Sequence, residues 1–147
     1  MKHTDLPAEQ VLVSACCLGL HCRHHGRQSV VKSKISRLLD RYLLVPVCPE
    51  QLGGLPTPRP PIRDVDGKLL FKVPSRTSAR NRSLRWNLSG DETAAAFLEH
   101  GAEEVLRIAQ LLGINKAYML CNSPSCDPKS GVCSVLLARH GLRVMGL

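Results

Sequence analysis

Four short apolar runs, at residues 11–15, 42–47, 116–120 and 142–145, alternate along this chain with segments of helical periodicity. That alternation constrains the fold more than any other feature. Strands separated by crossover helices pair in parallel, and the helices then cover the faces of the sheet. The helical segments are 30–39, 91–112 and 132–140. In the longest, Leu98, Ala102, Val105, Ala109 and Leu112 recur at alternating spacings of four and three, which gives one apolar face. Asp91 is its expected N-cap or first-turn acid, and Gly113 its expected C-cap. The expected fold is therefore α/β, a single three-layer domain over 1–147 with a mainly parallel, Rossmann-like sheet. Residues 1–9 and about 74–88 are expected to be flexible. A chain of 147 residues is long enough for one core of this kind.

The segments between these elements read less regularly. Pro46, inside the second strand, places that strand at an edge or makes 46 its end. Residues 49–64 read as a stiff loop, because Gly53-Gly54 and Pro56, Pro58, Pro60 and Pro61 exclude regular helix. Residues 65–73 suit a small strand or a hairpin turning at Asp66-Gly67.

Three cysteines each follow an apolar run. Cys16 ends the first, Cys48 ends the second, and Cys126 lies in the turn-rich loop after the third. In a parallel sheet these thiols share the carboxyl edge, where open α/β sheets bind ligands. A lone cysteine is usually a buried packing residue. Three at equivalent topological positions point to a metal or cluster. Zinc favours four ligands from closely spaced pairs. Cys17-x4-Cys22 and Cys121-x4-Cys126 match that spacing poorly, although His21, His24 and His25 stand by as further donors. An iron–sulfur cluster takes thiolates from distant positions, and three of them leave one iron open to a soft atom such as sulfur. Glu50 and Ser123 stand near two of the cysteines. The first is either a solvated loop acid or a general base or acid. The second is either a turn residue before Pro124 or a group that holds substrate or relays a proton.

Composition narrows the setting. Seven cysteines, an odd number, without an apolar leader favour metal or catalytic use in a reducing cytoplasm over disulfides. No run approaches the roughly 20 apolar residues of a membrane span. The net charge is +8, and residues 72–85 carry five positive charges and no negative one. That stretch is either a solvated loop or a weak electrostatic contact for a phosphate-bearing ligand or RNA. Trp86 alone stands near it to stack on a base, which argues against a dedicated RNA surface.

Three segments carry a resemblance to a known family. They are Val13-Ser-Ala-Cys16-Cys-Leu-Gly-Leu-His-Cys22-Arg, the stretch from Val47-Cys-Pro-Glu to Pro61, and Ser123-Pro-Ser-Cys126. Together they resemble the thiouracil desulfidase (TudS-like) family, formerly a domain of unknown function. The likeness implies a 4Fe-4S cluster on Cys16, Cys48 and Cys126 with one open iron. It also implies non-redox removal of sulfur, as sulfide, from a thiolated pyrimidine base or nucleotide. Glu50 and Ser123 match the family's catalytic polar positions, and Arg23 and Arg59 are the candidate substrate-binding residues. The chain departs from the family pattern where His24-His25 replaces Tyr-Asp. It departs again where Cys126-Asp-Pro-Lys-Ser-Gly131 stands in place of a glycine-rich insertion. The alternative is a non-catalytic zinc or iron–sulfur module associated with RNA.

Overall fold

The computed structural model describes residues 9–27, 32–72 and 93–147. The four apolar runs form β1 (Gln10–Ser14), β2 (Leu43–Val47), β5 (Lys116–Met119) and β6 (Arg143–Gly146), with a 3-10 turn at Ala15–Cys17. Three longer helices, α1 (Lys32–Leu39), α3 (Ala95–Leu112) and α4 (Val132–Arg139), make the crossovers. The strands pair in parallel in the order β2-β1-β5-β6. The chain steps from β1 out to β2, then crosses back to β5 on the other side of β1. The switch point therefore lies between β1 and β5, the crevice where α/β sheets bind ligands.

Alternation along β1 separates the two faces of the sheet. Leu12 joins Ala102, Val105, Ala109 and Leu137 in the core beneath α3 and α4. Val13 joins Ile35 and Leu38 in the core beneath α1. Both faces are covered, so β1 is apolar at successive positions, as a central parallel strand must be. The expected three-layer α/β class is the observed one. Pro46 sits on β2 at the sheet edge, opposite Val13, where a missing backbone donor costs no ladder bond to an outer neighbour. Gly113 closes α3 in the left-handed conformation, with φ 67°. Asp91 lies outside the described residues, as do 73–92 as a whole, which hold most of the basic stretch and the expected flexible segment near 74–88. Residues 1–8 lie outside as well.

The reading of 49–64 as loop needs correction at both ends. Pro49–Leu52 is a short helix, α2, and Ile62–Val65 is a strand, β3, paired antiparallel with β4 (Lys68–Phe71). Proline at the first helical position is tolerated because that residue's N–H has no intrahelical partner. The helix ends at Gly53, before the prolines exert their effect. The hairpin turns at Asp66 and Gly67, both at positive φ, which suits a two-residue hairpin turn.

The placement of α2 depends on glycine. A Cβ on Gly101 of α3 would stand 1.8 Å from the Pro49 carbonyl oxygen, and one on Gly53 would stand 2.0 Å from that of Phe97. The two backbones touch directly, and this contact fixes the short helix that carries Glu50. No helix among the described residues is long and apolar enough to cross a membrane.

Candidate functional site

At the carboxyl ends of β1, β2 and β5 the loops enclose a cavity of about 200 Å³. That is well below the roughly 300 to 1,000 Å³ of pockets for drug-sized ligands. Cys16, Cys48 and Cys126 all line it, each from the loop after a different strand. Glu50, Ser123, Arg23 and Arg59 line it as well, so the seven candidate site residues all face one space. Of the remaining cysteines, Cys22 also reaches the wall. Cys17 packs in the core beneath α1, Cys133 points from α4 into the core it shares with α3, and Cys121 is exposed.

The thiols are electrostatically linked. Hydrogen bonds from Cys17 and then Cys22, with help from the Arg23 charge, draw the Cys16 thiol well below its ordinary value. A hydrogen bond from Cys22 pulls Cys48 down against its burial. Cys17 and Cys22, as the donors, shift upward in return. Cys126 is pushed up to about 12, chiefly by burial, although the Ser14 and Ser125 hydroxyls oppose that rise. Cys48 Sγ lies 3.8 Å from the Cys22 carbonyl oxygen, placed to donate to it, and any of these thiols that held a cation would release its proton on binding. All seven cysteines are free. Among the described residues, no three His, Cys, Asp or Glu side chains are arranged to hold a single metal ion.

A polar line crosses the cavity floor. Arg59 Nε donates to Glu50 Oε2 at 2.6 Å. The rest of that guanidinium donates to the Cys22 carbonyl at 2.8 Å, the Thr57 hydroxyl at 3.0 Å and the Pro56 carbonyl at 3.2 Å. On the far side, Ser125 Oγ donates to Glu50 Oε1 at 3.1 Å and lies 3.2 Å from Ser123 Oγ. Ser123 in turn accepts the Cys126 backbone N–H at 3.2 Å. The proline loop and the Ser-Pro-Ser-Cys loop therefore meet through one carboxylate. Arg59 is buried and engaged on all three nitrogens, whereas Arg23 is half-buried on the wall.

Two wall residues, Ser125 and Ser14, were not singled out from the sequence. Ser125 is the link between Glu50 and Ser123, and the signal for it was its place in an alternating Ser-x-Ser pair. Ser14 closes β1 and accepts the Leu120 N–H at 2.9 Å, joining β1 to the end of β5 directly beside the switch point. His24 stands on the wall, and its pKa is lowered by burial first and then by the neighbouring charges of His25 and Arg59. Asp127 shapes the loop beyond Cys126. Its carboxylate accepts the backbone N–H groups of Asn122, Lys129 and Ser130 at 2.8, 3.0 and 3.1 Å.

Parallel three-layer architecture with thiols and a buried carboxylate at the switch point defines a class, an α/β protein with a thiol-lined cavity at the carboxyl edge of its sheet. Residues 11–144 match the family model of the 2-thiouracil desulfurases, and the chain belongs to that family. YbbK of Bacillus subtilis (strain 168), itself uncharacterized, is 30% identical over 149 residues, covering 92% of this chain and 93% of YbbK. The solved structure of the 4Fe-4S-dependent thiouracil desulfidase TudS superposes with a TM-score of 0.73 at 29% identity. That match covers 94% of this chain and 90% of TudS. The family reading of the three sequence segments is thus the correct one, and the chain is an enzyme of the desulfidase class.

Proposed function

We propose that this enzyme removes sulfur from a thiouracil-type pyrimidine by hydrolysis, giving the oxygenated base and sulfide, with an iron–sulfur cluster held by Cys16, Cys48 and Cys126. The observation that carries the reading is the meeting of these thiols with Glu50 and Ser123 around one small cavity. The donor set suits a cluster. Thiolates are soft ligands matched to cluster iron, and they come from three separate loops. When bound, such a cluster supplies a Lewis acid with affinity for sulfur.

The chain's own residues supply the rest. Glu50, fixed between Arg59 and Ser125, accepts a proton from the attacking water. Ser123 relays a proton along the hydrogen-bonded line through Ser125 to Glu50. Arg23 offers a cation for a carbonyl oxygen or phosphate, and Arg59 acts through Glu50. The reaction balances without electrons. The carbon–sulfur bond is exchanged for a carbon–oxygen bond, water supplies the oxygen, and sulfur leaves as hydrogen sulfide.

The test is anaerobic purification, with iron, acid-labile sulfide, zinc and thiouracil turnover measured on one sample. We expect about four irons and four sulfides per chain, lost together in Cys48→Ser and Cys126→Ser. Sulfide release should disappear with the iron. Zinc without acid-labile sulfide, or full turnover by iron-free protein, would overturn the reading.

A further inference from the structure

We infer that Ser125 is a positioning residue for the reaction, which aims the Glu50 carboxylate and sets the direction of the Ser123 hydroxyl. Ser125 is 2% exposed and belongs to the cavity wall. A hydroxyl has one proton to give. Two acceptors stand within reach of it, Glu50 Oε1 at 3.1 Å and Cys126 Sγ at 3.8 Å, and the charged carboxylate oxygen is the nearer and stronger one. In its 3.2 Å contact with Ser123, Ser125 must therefore accept, and Ser123 must donate. Ser123 Oγ already accepts two backbone N–H groups, from Cys126 at 3.2 Å and from Ser125 at 3.4 Å. Those donors occupy its lone pairs and leave its proton directed along the line. The order runs from Ser123 to Ser125 to Glu50, with Arg59 closing the far side of the carboxylate.

The backbone around Ser125 is fixed independently of its hydroxyl. Its carbonyl accepts the Cys133 N–H at 2.9 Å, and Gly131 packs a backbone's width away. Removing the hydroxyl should therefore leave the loop in place. It frees Glu50 Oε1 from one of its partners and releases the Ser123 proton. A scaffold role would show in stability and cluster content. A positioning role shows in the chemical step.

The kinetic side of this inference rests on the desulfidase reading, so its test pairs turnover with a measurement that needs none. In Ser125→Ala, iron and acid-labile sulfide should match the wild type. With thiouracil, kcat should fall roughly 10- to 100-fold, below the full contribution of a general base, while KM changes less than about 3-fold. Ser125→Thr, which restores the hydroxyl, should recover most of the rate. The crystal structure of Ser125→Ala should show Glu50 Oε1 turned away from its wild-type position. An alanine variant with wild-type kcat, or one that loses the cluster, would overturn the inference, as would a threonine variant no better than alanine. If wild-type protein carries the cluster but does not turn over thiouracil, the proposed substrate is wrong. The crystal structure then decides alone, and an unmoved Glu50 carboxylate refutes the positioning role.

Discussion

The two ends of this sheet each carry an ion pair, and the pairs are built differently. At the carboxyl end, Arg59 and Glu50 meet at 2.6 Å with side chains only 3% and 12% exposed. At the amino end, Lys116 and Glu9 meet at 2.9 Å with side chains 11% and 41% exposed. The first pair is tied into the cavity floor by the Cys22 carbonyl and Ser125. The second is tied to the rim by the Tyr42 hydroxyl at 3.3 Å, with the ammonium 4.8 Å from the centre of that ring. Burying charge is expensive even when it is paired, and an apolar pair of similar volume would often be as stable. A pair kept at the buried end is thus better explained by what it holds in place than by stability alone.

The largest effect should come from breaking the buried pair. Arg59→Met leaves the Glu50 carboxylate without its cation and should cost about 3–5 kcal/mol, read as a fall in the urea midpoint. Adding Glu50→Gln removes the stranded charge, so the two losses should fall short of additivity by about 1–3 kcal/mol. Strict additivity would mean that the pair is not coupled. Neither variant should keep sulfide release, because each disturbs the carboxylate that faces the cavity.

Next in size is the contact that holds α2. Alanine in place of a mid-helix glycine ordinarily stabilises by roughly 1 kcal/mol. At Gly101 the sign should reverse, because the new methyl would fall on the Pro49 carbonyl. Gly101→Ala should destabilise by about 1–3 kcal/mol, an overpacking cost. It should also reduce turnover, because α2 carries Glu50 and follows Cys48. A stabilised Gly101→Ala would show that α2 can move away without consequence.

Legibility in the sequence followed the same division between the two ends. The sheet was readable because each strand is a compact apolar run and each crossover has helical period. The convergence of Cys16, Cys48 and Cys126 on one cavity followed from parallel topology, since every such strand delivers its last residue to the same edge. The short helix at Pro49–Leu52 was hidden by the prolines after it, although Pro49 itself is a favoured helix starter. Arg59 looked like a free cation because a linear reading cannot see that its nitrogens find Glu50 and three other oxygen acceptors. Ser125 was passed over for Ser123 because both precede Cys126 in the same turn. Only the fold shows which hydroxyl reaches Glu50. Long-range polar pairing leaves no period in a sequence, whereas burial of apolar faces does.

The amino-end pair sets the lower limit of the comparison. Lys116→Met keeps the apolar stem over Tyr42 and deletes the charge. Exposed ion pairs contribute little, so Tm at neutral pH should move by no more than about 3 °C. Iron content and turnover should stay at wild-type levels, because the cluster of Glu9, Lys116 and Tyr42 lies at the end of the sheet remote from the thiols. The pH dependence has a definite sign. Glu9 first, and then Tyr42, raise the Lys116 pKa above the ordinary lysine value. A group whose folded pKa is raised contributes fully at pH below its unfolded value and loses that contribution as pH climbs through the folded one. The difference between wild type and Lys116→Met should therefore be constant across neutral pH and shrink only in strongly alkaline solution. A large loss of stability at pH 7 would mean that this partly open pair carries as much of the fold as the buried one. Burial would then not be what separates the two ends of the sheet.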